Sequence, residues 1–170
     1  MTSRQLEHHE ICNRKQAFPL VLIGHDITSP ENLGMLFRMS EAMGVAHFYL
    51  SGNSPSASHR RVKKTARSTV KYVQNSRVSH PLELMSDLKK RGYTLVALEV
   101  TNDSQILHQV DFSSFEKIAL IPGNEQDGLA PEILEAADLS IEIPMYGHNT
   151  SINVVNAVSI ALYEIRKQLS

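Results

Sequence analysis

The chain has 170 residues, 42% of them hydrophobic and 21% charged, with a formal net charge of −1 at pH 7. This is the composition of one globular domain able to bury a single substantial core, without low-complexity tracts or a global basic field. Its apolar runs fall far short of the roughly 20 residues of a membrane helix, the first residues lack the apolar core of a secretion signal, and one cysteine, Cys12, closes no internal disulfide; a reducing cytoplasm is the expected setting.

The predicted elements alternate along the chain. Leu20–Ile23 is a short continuous apolar run, the form of a strand buried on both faces. A turn at Thr28–Asn32 precedes apolar residues at helical spacing, Leu33, Leu36, Phe37 and Met43, with Gly44 placed to cap the end. His47–Leu50 is a second strand, and Ser51–Ser58 is a loop by composition. Pro81 opens a helix carrying Leu82, Met85 and Leu88 that stops at Gly92. Thr94–Val100 and Ile118–Ile121 read as buried strands, Pro131 starts a short helix through Ala137, and Leu139–Ile143 is the last strand. A final helix carries Val154, Val155, Val158, Ala161, Leu162, Ile165 and Leu169. The expected fold is α/β: a single-domain parallel sheet with helices on both faces. The expected division is an N-terminal extension over 1–17 and one domain over 18–170.

Charge is unevenly distributed. No acidic residue occurs between Ser51 and Leu82, whereas Arg60, Arg61, Lys63, Lys64, Arg67, Lys71 and Arg77 all fall there. A solvated helix face normally mixes both signs; one-sign clustering is what phosphate neutralisation requires. A plain basic solvent face is the competing reading.

Two loops carry the candidate chemistry. Ile143 through Asn153 joins a proline-punctuated strand end to a helix start, and such junctions gather unpaired backbone N–H groups and small polar side chains where open α/β folds bind ligands. Pro122–Gly128 follows a strand, and its glycines allow close backbone approach, although it is neither a dinucleotide fingerprint nor a P-loop. The eight histidines are scattered without metal spacing, so no metal is expected.

Taken together, three segments resemble the motifs of the SpoU family of RNA 2′-O-ribose methyltransferases, within the SPOUT superfamily. Asn32-Leu-Gly34-Met-Leu-Phe-Arg38 is similar to the first, Gly123-Asn-Glu125-Gln-Asp-Gly128 to the second, and Ile143-Pro-Met145 through Ser151-Ile-Asn153 to the third. The resemblance runs from about Leu20 to Leu169, so no appended RNA-binding module is expected. It implies a C-terminal trefoil knot, against the general rule that chains do not knot, with S-adenosylmethionine bound in the knot loops, S-adenosylhomocysteine as product, and a homodimer that completes the site through the C-terminal helix.

By residue match, Leu98, Gly123, Ile143, Met145, Ser151 and Ile152 bind the cofactor, while core packing also accounts for Leu98, Ile143 and Ile152. Arg38, Asn32, Glu125, Ser151 and Asn153 form the implied catalytic set. The family account often makes the arginine the base; guanidinium is hard to deprotonate, which favours Arg38 as a cation clamping the 3′-phosphate and steadying the developing alkoxide. Asn32 is expected to cap the first helix and orient Arg38, Glu125 to hold Asn32 or the loop backbone, and Ser151 and Asn153 to begin the last helix. Arg60, Arg61, Lys63, Lys64, Arg67 and Lys71 are the expected RNA contacts. The implied activity is methyl transfer to a ribose 2′-hydroxyl, tRNA before rRNA. A non-catalytic RNA-binding relative and a base methyltransferase of the superfamily are the alternatives.

Overall fold

A computed structural model describes residues 3–7, 10, 18–124 and 126–169. Glu125, Cys12 and most of the expected N-terminal extension lie outside the described residues. The chain forms β1 (Phe18–His25), α1 (Pro30–Met43), β2 (Val45–Ser51), α2 (Arg60–Ala66), β3 (Asn75–Arg77), α3 (Pro81–Lys90), β4 (Tyr93–Leu98), β5 (Gln105–Ile106), β6 (Lys117–Pro122), α4 (Pro131–Ala136), β7 (Leu139–Glu142) and α5 (Val154–Gln168). Among the described residues seven strands make one sheet in the order β3-β2-β1-β6-β4-β7-β5, and each of these strand pairs is parallel.

The period of two along each strand sorts side chains into two cores. On one face Leu20, Leu22, Val96, Leu98, Ile118, Leu120 and Ile141 pack with Leu33, Leu36 and Phe37 of α1 and with Val158, Ala161, Leu162 and Ile165 of α5. On the other, Val21, Ile23, Leu95, Ala97, Ala119 and Ile121 meet Met85 and Leu88 of α3 and Ile133 of α4. Helices therefore cover both faces, as the pattern predicts. The central strands read as unbroken apolar runs because neither face meets water.

Helix boundaries follow local chemistry, with one departure from expectation. Ser29, not Asn32, caps α1: its side-chain oxygen accepts from the Asn32 N–H, and Pro30 takes the first helical position. Asn32 lies inside the first turn, so its amide is released for other contacts. Gly44 ends α1 in the left-handed conformation at φ 70°.

The strands differ at their ends. Val100 lies past the end of β4, which stops at Leu98, and Ile143 lies one residue beyond β7. The edge strands β3 and β5 span three and two residues, too short to impose a hydrophobic period on the sequence. Among the described residues no helix is long and apolar enough to cross a membrane.

Candidate active site

Register sets the floor of a cleft at the carboxyl edge of the sheet, where open parallel sheets place their ligands. Leu98 stands opposite Pro122 on β6 and Ile141 on β7, so three neighbouring strands end at one level. Above them the segment after β6 and the 143–153 segment form the walls. The cleft encloses about 680 Å³ including the open solvent at its mouth. All six residues expected to bind the cofactor, Leu98, Gly123, Ile143, Met145, Ser151 and Ile152, line it. Thr150, Glu142, Asn124 and Glu99 line it as well.

The second loop is a closed turn. Asn124 Oδ1 accepts from the Gln126 and Asp127 N–H groups, both at 2.8 Å, and its amide donates to the Gly128 carbonyl. Gly128 has φ 69°, which favours glycine.

The first and third motif segments meet directly. Asn153 caps α5, its Oδ1 accepting from the Val155 N–H at 2.9 Å. Its amide nitrogen donates to Asn32 Oδ1 at 3.2 Å, joining the start of α5 to the first turn of α1 across 121 positions. The capping expected of Asn153 is found, and the same side chain bridges two motifs. Ser151 is exposed in the loop ahead of α5 rather than within its first turn.

Arg38 lies two turns along α1 from Asn32, half-buried, with Nη1 3.9 Å from Met35 Sδ. Among the described residues it makes no ion pair.

Gly34 explains how the basic segment is held beside α1. A Cβ built there would stand 2.7 Å from Thr65 Cβ and 2.8 Å from the Val62 carbonyl, so α2 crosses α1 at backbone contact. Val62 and Ala66 are buried in this crossing, which turns Arg60, Arg61, Lys63 and Lys64 to solvent. Arg67 and Lys71 are exposed just beyond, and Arg67 holds φ 56°. Glu31 of α1 comes within 4.0 Å of Arg61, an acid that the local sequence did not reveal. Arg77, also exposed, donates to the Ser54 and Gly52 carbonyls and holds the loop after β2.

The sequence offers one argument for a dimer, that the last helix has apolar residues on more than one face and a single sheet face cannot wholly bury them; it fails. Val154, Val155, Val158, Ala161 and Leu162 do not need a second subunit, because α1 and the sheet bury all five within the chain. The apolar surface left over belongs to other residues: Tyr146 is 91% exposed, Tyr163 62% and Ile160 44%, around a groove that includes Met39, Met43 and Leu107.

Residues 19–163 match the model of the SpoU rRNA Methylase family. The chain belongs to this family. It is 30% identical over 165 residues to a tRNA (guanosine(18)-2′-O)-methyltransferase of Aquifex aeolicus, covering 94% of this chain and 74% of the relative. An AdoMet bound rRNA methyltransferase from Sinorhizobium meliloti superposes with a TM-score of 0.84 at 24% identity, over 92% of this chain and 59% of that one. A structure described as giving insights into the 2-OH methylation of C/U34 on tRNA superposes with a TM-score of 0.75 at 25% identity, over 88% of this chain and 95% of that one. Several other curated relatives are longer, and the match spans between 59% and 61% of their length.

Sequence reasoning missed the polar residues Glu99, Asn124, Glu142 and Thr150 of this cleft. Glu99 had one available signal, an acid directly following the apolar end of a strand, at the level where ligands of parallel sheets bind. Among the described residues no group of His, Cys, Asp or Glu could hold a metal ion.

Proposed function

We propose that this chain transfers a methyl group from S-adenosylmethionine to a ribose 2′-hydroxyl of RNA, with tRNA the preferred substrate over rRNA. The observation that carries the reading is the juncture of the three motif segments: a cleft built from the second and third, tied to the first by the Asn153–Asn32 hydrogen bond. The cleft suits the cofactor, since Leu98, Ile141, Ile143 and Ile152 offer apolar walls for an adenine ring. When bound, S-adenosylmethionine supplies an electrophilic methyl group on its sulfonium sulfur.

In this reading the chain's own residues position the acceptor. Arg38 stays cationic, holds the phosphate 3′ of the target ribose, and stabilises the oxygen as its proton leaves to phosphate or water. Asn32 and Asn153 fix α1 against α5 so that Arg38 keeps its place relative to the cleft. Ser151 and Glu125 complete the polar set. Arg60, Arg61, Lys63, Lys64, Arg67 and Lys71 contact the RNA backbone. The preference for tRNA rests on the Aquifex relative, of which this chain covers 74%, and on the short structural neighbour covered to 95%.

The remaining parts of the proposal are architectural. Residues 18–170 act as one catalytic domain with 1–17 as an extension, threaded as a C-terminal trefoil knot and resident in the cytoplasm with its RNA. The exposed groove of Tyr146, Ile160 and Tyr163 supports a homodimer through α5.

The test is to incubate the purified chain with isotope-labelled S-adenosylmethionine and bulk tRNA or rRNA, digest with nuclease, and identify the labelled nucleoside by mass spectrometry. A 2′-O-methylated nucleoside is expected. Label on a base would make this a base methyltransferase, and binding of RNA and S-adenosylhomocysteine without any label would make it a non-catalytic relative.

A further inference from the structure

Glu99 is the first residue after β4, and its N–H donates to the Ile141 carbonyl at 3.0 Å, so its backbone is fixed by the sheet. Its carboxylate does not extend freely into solvent. Oε1 accepts from the Val100 N–H at 3.0 Å, and the group is half-buried in the cleft while Val100 beside it is exposed.

Oε2 lies against two motif glycines. A Cβ at Gly123 would run into it and a Cβ at Gly128 would stand 2.6 Å away, so any side chain at either position would displace the carboxylate. The glycines of the second motif therefore keep open the space that this acid occupies. Among the described residues Glu99 has no ion pair. The other cleft acid, Glu142, is engaged differently, accepting from the Ser104 hydroxyl at 2.5 Å.

A carboxylate without a cationic partner, held at the carboxyl edge of a parallel sheet, accepts hydrogen bonds and offers none. Its ligand must bring donors. It stands at the end of the strand next to the one that carries the glycine loop, the relative placement in which parallel-sheet nucleotide sites set an acid against ribose hydroxyls. The apolar walls for a base, Ile141, Ile143 and Ile152, belong to neighbouring segments of the same cleft.

We propose that Glu99 recognises the ribose hydroxyls of the cofactor's adenosine, which makes it a specificity residue of the cleft; this rests on the cofactor reading above. Two oxygens fixed in one plane match a vicinal diol, and charge-assisted hydrogen bonds of this kind are the stronger ones.

The test is calorimetric titration of the full chain with S-adenosylhomocysteine and with 5′-methylthioadenosine, which keeps the ribose but lacks the ammonium group. Glu99→Gln keeps the shape and removes the charge; it is expected to weaken both ligands by the same factor, about 10-fold or more, the range for a hydrogen bond to a charged group. The 3′-deoxy form of methylthioadenosine should bind wild type weakly and lose little further in the variant. Glu99→Asp withdraws the carboxylate by one methylene and should show the same loss for methylthioadenosine, which covers the case of a Gln variant that folds poorly. Equal affinity of wild type and both variants would overturn the inference while leaving the cleft intact. A loss confined to S-adenosylhomocysteine would assign the carboxylate to the ammonium and overturn it too. Failure of the wild type to bind either ligand would remove the cofactor reading, and this inference with it.

Discussion

Gly34→Ala separates helix propensity from packing, because the two push in opposite directions. In a solvent-facing helix the change would stabilise by about 1 kcal/mol. Here the added Cβ meets Thr65 Cβ at 2.7 Å, the Val62 carbonyl at 2.8 Å and the Ala66 nitrogen at 3.0 Å. Carbon atoms settle at about 3.5 to 4.0 Å from one another, and none of the three atoms is the end of a flexible side chain. Helix α2 must then move away as a body by roughly 1 Å, a gap at which its buried Val62 and Ala66 forfeit a quarter to a half of their dispersion attraction. Overpacking of this kind costs about 1–3 kcal/mol, so the balance is a net loss of up to about 2 kcal/mol. For a domain of this size that lowers Tm by up to roughly 8 °C. Gly147→Ala, where a Cβ meets nothing within 4 Å, is the control and should stay within about 0.5 kcal/mol of wild type. Calorimetric or circular-dichroism melting of the two variants decides it. A rise in Tm for Gly34→Ala would refute the close crossing and with it the account of how the basic helix is held beside Arg38.

Arg38→Ala should lower single-turnover methyl transfer by about two to four orders of magnitude, the scale of a positioned catalytic group, with S-adenosylhomocysteine affinity unchanged in calorimetry; near-wild-type turnover would remove it from the site. Neutralising Arg60, Arg61, Lys63 and Lys64 together should weaken RNA binding and flatten its salt dependence, by about 0.7 to 0.9 in slope for each phosphate no longer neutralised; an unaltered slope in filter-binding titrations would make this face merely solvated. Tyr163→Asp with Ile160→Asp should give a monomer of 19.0 kDa in light scattering where the wild type is twice that mass, and a monomeric wild type would refute the α5 interface. Burial, reinforced by Arg91, holds the His47 pKa below its ordinary value. The folded state thus binds its proton less readily than the unfolded state, so this contribution to stability is present above the unfolded pKa of about 6.5 and lost as pH falls through the folded value. His47→Gln should flatten that acid-side loss in urea titrations, and an identical pH profile would contradict it.

The central sheet was legible because β1, β4 and β6 are buried on both faces and appear as uninterrupted apolar runs. The edge strands were not, since Asn75–Arg77 and Gln105–Ile106 contain one apolar residue between them and owe their conformation to the neighbour they pair with. The dimer argument from α5 failed for a related reason. A set of apolar positions on one helix does not say how many partners surround it, and α1 covers the face that the sheet leaves.

The motif residues show why pattern resemblance reached further than local rules. Asn32 sits where a capping residue would be expected, yet Ser29 supplies the cap and the Asn32 amide reaches Asn153 instead. Gly34 has no turn to make; it is needed because a second helix crosses there. Gly123 is needed because a carboxylate from the adjacent strand occupies the place of its side chain. In each case the residue type is set by a contact with a segment distant in sequence, which neither propensity nor periodicity registers. Glu99 is the converse: it belongs to none of the three motif segments, and its place in the cleft is set by the register of the strands on either side of it. A site assembled at the carboxyl edge of a parallel sheet draws one or two residues from each strand end, so the motifs mark where the chain returns to the site, and the sheet supplies the residues in between.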